Sequence, residues 1–174
     1  MRCVQRSVNH EIAATESPRT GQEFVWDYPR PAAAERTQRR IRAVVAGVVL
    51  ADSTRAIRVL ETSHPPTYYL PPADARMDLL VPAAGSSVCE WKGHALYHDA
   101  RIESKTIQRV AWSYPDPTPA FDALRDDLAF YLPALDAAYV DDERAQPQPG
   151  GFYGGWITSE LAGPFKGVPG SSGW

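Results

Sequence analysis

Glu61 is the residue whose position most needs a chemical explanation. Along Ala56 to Thr62, Ile57, Val59 and Glu61 fall on one face of a strand, and Arg58, Leu60 and Thr62 fall on the other. A carboxylate in register with two branched apolar side chains is expected to be partly buried. Burial favours the protonated form unless a cation or several donors hold the charge. Such a group can serve as a general acid or base beside a cavity. It can equally be half of a structural ion pair with Arg55, Arg76 or Lys92, or lie exposed at a strand end.

Two tryptophan motifs supply the remaining candidates: Cys89-Glu90-Trp91-Lys92-Gly93 and Ala111-Trp112-Ser113-Tyr114-Pro115. An indole is costly to place unless its ring is buried and its N–H finds an acceptor, so such clusters mark a core or a pocket. Ser87 to Ile102 contains a strand, and its parity puts Cys89, Trp91, Ala95 and Tyr97 on an apolar face. Glu90, Lys92, His94 and His98 then share the polar face, and a bulge at Gly93 would change that assignment. Lys92 reads as an anion clamp or Schiff-base amine, with a solvated lysine as the alternative. Trp91, Trp112, Tyr69 and Tyr114 are candidate walls of a site for a flat or cationic ligand, and Arg55 is a further candidate contact. Core packing is the competing explanation for the rings.

His94 and His98 have the spacing of metal ligands on a helix, but their surroundings read as strand. Four residues along a strand separate side chains by about 13 Å, too far for one ion. No metal and no cofactor is expected. No phosphate-binding loop, dinucleotide fingerprint or nucleophile elbow is present.

The elements that must position these residues are short. Sixteen prolines and twelve glycines among 174 residues divide the chain into brief runs and argue for a β-dominated domain. A net charge of −3 gives no global attraction to nucleic acid or an anionic membrane. Two cysteines suggest no disulfide framework, and no apolar run approaches a membrane span. A cytoplasmic protein is expected, with a small molecule as partner, no nucleic acid and no membrane.

Residues 1–22 read as a disordered or loosely docked arm, and 23–38 as an extension carrying Phe24, Trp26 and Tyr28. A β domain follows over 39–146, with hairpins at Ala46-Gly47 and Asp141-Asp142-Glu143. One amphipathic helix is expected near 119–131, capped by Thr118, opened by Pro119, with Phe121, Leu124, Leu128 and Tyr131 on one face. Residues 147–174 form a Gly/Pro-rich arm whose aromatics argue that part of it packs back on the domain.

In order, Ala51-Asp52-Ser53, Glu61, Tyr68-Tyr69-Leu70-Pro71, Asp74, Cys89-Glu90-Trp91-Lys92-Gly93, Ala95, Tyr97, Ala111-Trp112-Ser113-Tyr114 and Ala129-Phe130-Tyr131 resemble the domain-of-unknown-function 427 family over about residues 39–146. The resemblance implies compact, curled antiparallel sheets related to the β-tent, the fold of B-type methionine sulfoxide reductases and of the thalidomide-binding domain of cereblon. Those relatives carry paired zinc cysteines, whereas this domain has Cys89 alone. The family is sometimes called nucleotidyltransferase-like, yet the acidic pair and glycine-serine loop of that chemistry are missing here. Two functions follow as expectations. One is a cofactor-free protein that binds, and transforms, a small organic molecule with Glu61 as acid/base and Lys92 as a contact. The other is a non-catalytic module that holds a protein or peptide partner.

Overall fold

Runs of branched and aromatic residues between prolines and glycines form strands here because each run buries one or both of its alternating faces. The computed structural model describes residues 17–174, so most of the arm expected over 1–22 lies outside the described residues. The strands are, in order, β1 (Glu23–Phe24), β2 (Ala33–Arg36), β3 (Ile41–Val45), β4 (Val48–Ser53) and β5 (Ile57–Leu60). Next come β6 (Thr67–Leu70), β7 (Leu80–Cys89), β8 (Gly93–Ile102), β9 (Lys105–Ser113) and β10 (Leu128–Phe130). The last are β11 (Ala137–Val140), β12 (Glu143–Arg144), β13 (Gln146–Pro147), β14 (Trp156–Ile157) and β15 (Leu161–Ala162). The protein is mainly β, with no sheet closed into a barrel among the described residues.

A seven-stranded sheet runs β2-β5-β6-β10-β9-β8-β7, and a four-stranded sheet runs β12-β11-β3-β4. Every pairing within these two sheets is antiparallel. The expected hairpins form: Ala46 (φ 47°) and Gly47 (φ 74°) turn β3 into β4, and Asp141 (φ 53°) opens the turn from β11 to β12. Both residues of the first turn have positive φ, which is the geometry that matches the right-handed twist of the strands.

Alternation in the two central strands separates two cores. Tyr68 and Leu70 of β6, with Leu128 and Phe130 of β10, pack with Ile41, Leu50 and Val140 between the sheets. Tyr69 and Ala129 point the other way and pack with Ile57, Val59, Tyr114, Phe121 and Leu124. This second face carries the residues singled out above.

The helical element near 119–131 is shorter than its sequence pattern. A kinked 3-10 segment covers Pro119–Leu124, and Leu128–Phe130 is strand β10. Phe121 and Leu124 are buried as expected, but β10 pairs with β6 on one side and β9 on the other. Two ladders and burial of all three side chains outweigh helical periodicity at this position.

The C-terminal residues pack onto the body. Trp156 is fully buried beside Tyr68 and donates its indole N–H to the Phe130 carbonyl at 3.2 Å. β14 pairs with β13, and β15 lies parallel to β1, so the N-terminal extension and the tail hold each other. Val25, Tyr28, Leu60 and Leu161 form a third apolar cluster at that junction, with Trp26 and Phe165 against it.

Trp156→Ala removes the largest fully buried side chain and orphans an interior carbonyl, and it is expected to cost about 3–5 kcal/mol. Urea unfolding of wild type and variant checks this, as a fall in midpoint with little change in slope.

Candidate functional site

β5 ends at Leu60, which leaves Glu61 at the strand's edge on the same side as Val59. Its side chain is mostly buried and has two partners. The Trp91 indole N–H donates to Glu61 Oε1 at 3.1 Å, and the Arg30 guanidinium lies 3.6 Å from the same oxygen. Neither contact engages Oε2. The cation beside Glu61 is therefore Arg30 and none of the three expected from sequence. Arg55 and Arg76 pair with Asp74 and Asp78 instead, at 2.6 Å each.

The strand parity read from Cys89 to Tyr97 is broken by a tight turn at Glu90-Trp91-Lys92, with Cys89 opposite Gly93 across the hairpin. Gly93 has φ 98°, a region L side chains rarely adopt. The turn is held from below: Thr118 Oγ1 donates to the Trp91 carbonyl at 2.6 Å and Thr118 N–H to the Lys92 carbonyl at 3.1 Å. Strand parity cannot be carried through a turn, so Lys92 leaves the polar face assigned to it. It is 9% exposed, with Nζ 5.8 Å from the ring centroids of both Tyr114 and Phe121.

These segments line an open-mouthed cavity of about 680 Å³. Glu61, Lys92, Trp91, Trp112, Tyr69 and Tyr114 all line it, as does Cys89. The rings are both wall and core: Tyr69 and Tyr114 belong to the second core, and Trp91 and Trp112 pack against it half-buried. Tyr69 meets Trp112 edge-on at 6.3 Å and is tilted against Tyr114 at 6.2 Å. Burial pushes both phenols well above the usual tyrosine range, so each stays protonated. Arg55 is the exception among the site residues expected from sequence, because it lies outside the cavity lining in its pair with Asp74.

Three further features surround the site, of which the sequence signalled only the packing of the tail. His64 lines it, with Nδ1 accepting from Gln148 Nε2 at 2.9 Å. Gln148 Nε2 also donates to the Lys166 carbonyl, and its Oε1 accepts the Gly155 N–H. This arrangement leaves the His64 proton on Nε2. Burial, opposed by Glu61 and reinforced by Lys166, pushes the His64 pKa down to about 4, so the ring is neutral. The tail supplies a wall: a Cβ on Gly154 would overlap the Trp112 ring, and the Gly151 carbonyl accepts from the Tyr131 hydroxyl. Arg30 comes from the N-terminal extension. The one sequence signal for the tail was its aromatics among glycines; nothing local pointed to Arg30 or Gln148.

Among the described residues no group of three or more His, Cys, Asp or Glu side chains is placed to hold a metal ion, and no helix is long and apolar enough to cross a membrane. His94 and His98 are four apart on β8, and His98 faces the Ser113 hydroxyl at 2.9 Å.

A family profile described as Domain of unknown function (DUF427) matches residues 33–141. The chain belongs to this family. No curated protein matches it. The matched segment of this DUF427 protein carries Glu61, Trp91, Lys92, Trp112, Tyr69 and Tyr114, and His64 as well. Gln148 and the 151–154 wall lie outside the match, as does Arg30 beside Glu61, so the flanks complete the cavity of this chain.

His64 has a folded pKa below its unfolded value of 6.5, so its contribution to stability is present above that value and is lost as pH falls toward 4. Asp127, raised to about 6 chiefly by burial, acts in the opposite sense over the same range. The comparison is therefore wild type against His64→Gln at each pH, and the variant is expected to lose less stability on acidification. NMR of the imidazole should show the Nε2–H neutral tautomer down to about pH 4; protonation near pH 6.5 would contradict the buried geometry.

Proposed function

We propose that this protein binds, and transforms without a cofactor, a small organic molecule in the cavity, with Glu61 as the acid/base. The observation that supports this reading best is the state of the Glu61 carboxylate. Its Oε1 is anchored by the Trp91 N–H and Arg30, while Oε2 has no partner among the described residues. A carboxylate held by one oxygen is oriented, and its other oxygen can accept a proton from a bound molecule. Trp91, Trp112, Tyr69 and Tyr114 offer flat surfaces, Lys92 a cation, and the neutral His64 an N–H donor. The cavity volume suits a molecule of drug-like size or smaller. Cys89 is a free thiol on the cavity wall, which suits a reducing compartment and supports a cytoplasmic location.

A second reading rests on the cavity mouth. Val88 is 68% exposed and Phe152 82%, and both line the cavity. Apolar side chains held in water at the rim of a groove fit a module that grips a protein or peptide partner.

A thermal-shift screen of small molecules against the protein, followed by two variants, separates the readings. Glu61→Gln is expected to keep the fold and ligand affinity while removing turnover. Trp112→Ala is expected to weaken binding at least about tenfold, the scale of one lost aromatic wall contact. A module for a protein partner would lose affinity on Trp112→Ala or Phe152→Ala and show no turnover with any hit.

A further inference from the structure

Lys92 is a largely buried lysine on the cavity wall whose ammonium has no counter-ion among the described residues. It is 9% exposed, yet its ammonium makes no hydrogen bond and no carboxylate lies within 4.0 Å of it among the described residues. Two ring faces at 5.8 Å compensate part of its lost hydration. An ammonium on a cavity wall with no acceptor of its own offers its N–H groups to a bound molecule, and an ionised acceptor makes the stronger bond.

The other charges at the cavity limit what that ligand can be. Arg109 donates to the Ala84 carbonyl and stacks over Tyr97, and Lys166 donates to the Trp174 carbonyl at 2.7 Å. Arg30 is paired with Glu61. Lys92 is thus the cation in the lining whose side chain has no acceptor, beside the paired Glu61 and the carboxylate of Glu90. A carboxylate supplies the acceptor that the Lys92 ammonium lacks, and the flat rings beside it suit an apolar body carrying that single charge.

We infer that Lys92 is the recognition point for a small carboxylic acid, its carboxylate paired to the Lys92 ammonium and its apolar body lying against Trp91, Trp112 and Tyr114. This rests on the reading of the cavity as a small-molecule site and names the class of molecule it takes. The acid/base at Glu61 would then act on a part of the molecule remote from the carboxylate, because two carboxylates repel each other. The ligand class is accordingly an acid with a reactive or hydrogen-bonding group beyond its carboxylate.

The test uses benzoate, benzamide and phenyl phosphate as probes, read by the indole N–H resonances of Trp91 and Trp112 in the whole protein, assigned through Trp91→Phe and Trp112→Phe. Benzoate is expected to bind at least about tenfold more tightly than benzamide, the scale of one charge-assisted hydrogen bond. It is also expected to bind more tightly than phenyl phosphate. Lys92→Met, which conserves volume while removing the charge, should bring benzoate down to the affinity of benzamide. Equal binding of benzoate and benzamide, with Lys92→Met silent, overturns the carboxylate assignment and leaves the small-molecule cavity standing. Tighter binding of phenyl phosphate overturns it as well. If no probe moves either indole resonance, the cavity reading falls together with the assignment. Should Lys92→Met fail to fold, the ranking of the three probes on the wild-type protein still decides.

Discussion

Burial of both faces of strands β6 and β10 is the constraint on which the rest depends. These strands sit side by side in the middle of the seven-stranded sheet. Their alternating side chains serve two different cores, Tyr68, Leu70, Leu128 and Phe130 on one side and Tyr69 and Ala129 on the other. A strand that packs on both faces cannot slip by one residue without exchanging the two sets, so its register is strongly specified. Tyr69 is therefore fixed as the floor of the cavity by the same packing that puts Tyr68 against Trp156. Floor and core are one structure, which is why the aromatic residues resist a simple division into packing and binding.

The polar residues reach the cavity by a different logic. Glu61 sits where β5 ends, Lys92 in a three-residue turn, His64 in the loop after Glu61, and Gln148 in the tail. All four are in irregular backbone next to rigid strands, which is where chemical groups can be aimed without breaking a ladder. Each is held by a specific neighbour. Trp91 N–H holds Glu61, Thr118 holds the turn, and Gln148 joins His64 to the Lys166 and Gly155 backbone. The neutral His64 is thus a product of burial, and Lys92 lies between the rings of Tyr114 and Phe121.

Much of the fold was legible because strand signals are local. Turn residues at Ala46-Gly47 and Asp141-Asp142 and the run Ile57-Arg58-Val59-Leu60 formed as read, and period-two parity put Glu61 beside Val59. The misreadings have a common cause. Carrying parity from Cys89 to Tyr97 assumed a continuous strand, and the turn at Glu90-Trp91-Lys92 put Trp91 and Lys92 into the same cavity. Extending a helix to Tyr131 followed a 3.6-residue pattern that Leu128 satisfies equally well as a strand residue between two neighbours. None of Arg55, Arg76 and Lys92, the cations weighed for Glu61, is its partner: Arg55 meets Asp74, and Glu61 meets Arg30 across a distance no local rule spans.

The amino-acid sequence by itself determined the β class, the hairpins, the buried side of Ile57 to Glu61, and the set of aromatic residues that needed burial. Those properties depend on neighbours two to four positions away, and alternation and turn chemistry report them directly. The tertiary structure decided which cation faces Glu61, that Lys92 is largely buried with no counter-ion among the described residues, and that the glycine-rich tail lies on Trp112 to close a wall. Contacts of that kind join segments separated by 30 to more than 80 residues. Their energies arise when water leaves the space between those segments, and only the folded chain brings them close enough for that to happen.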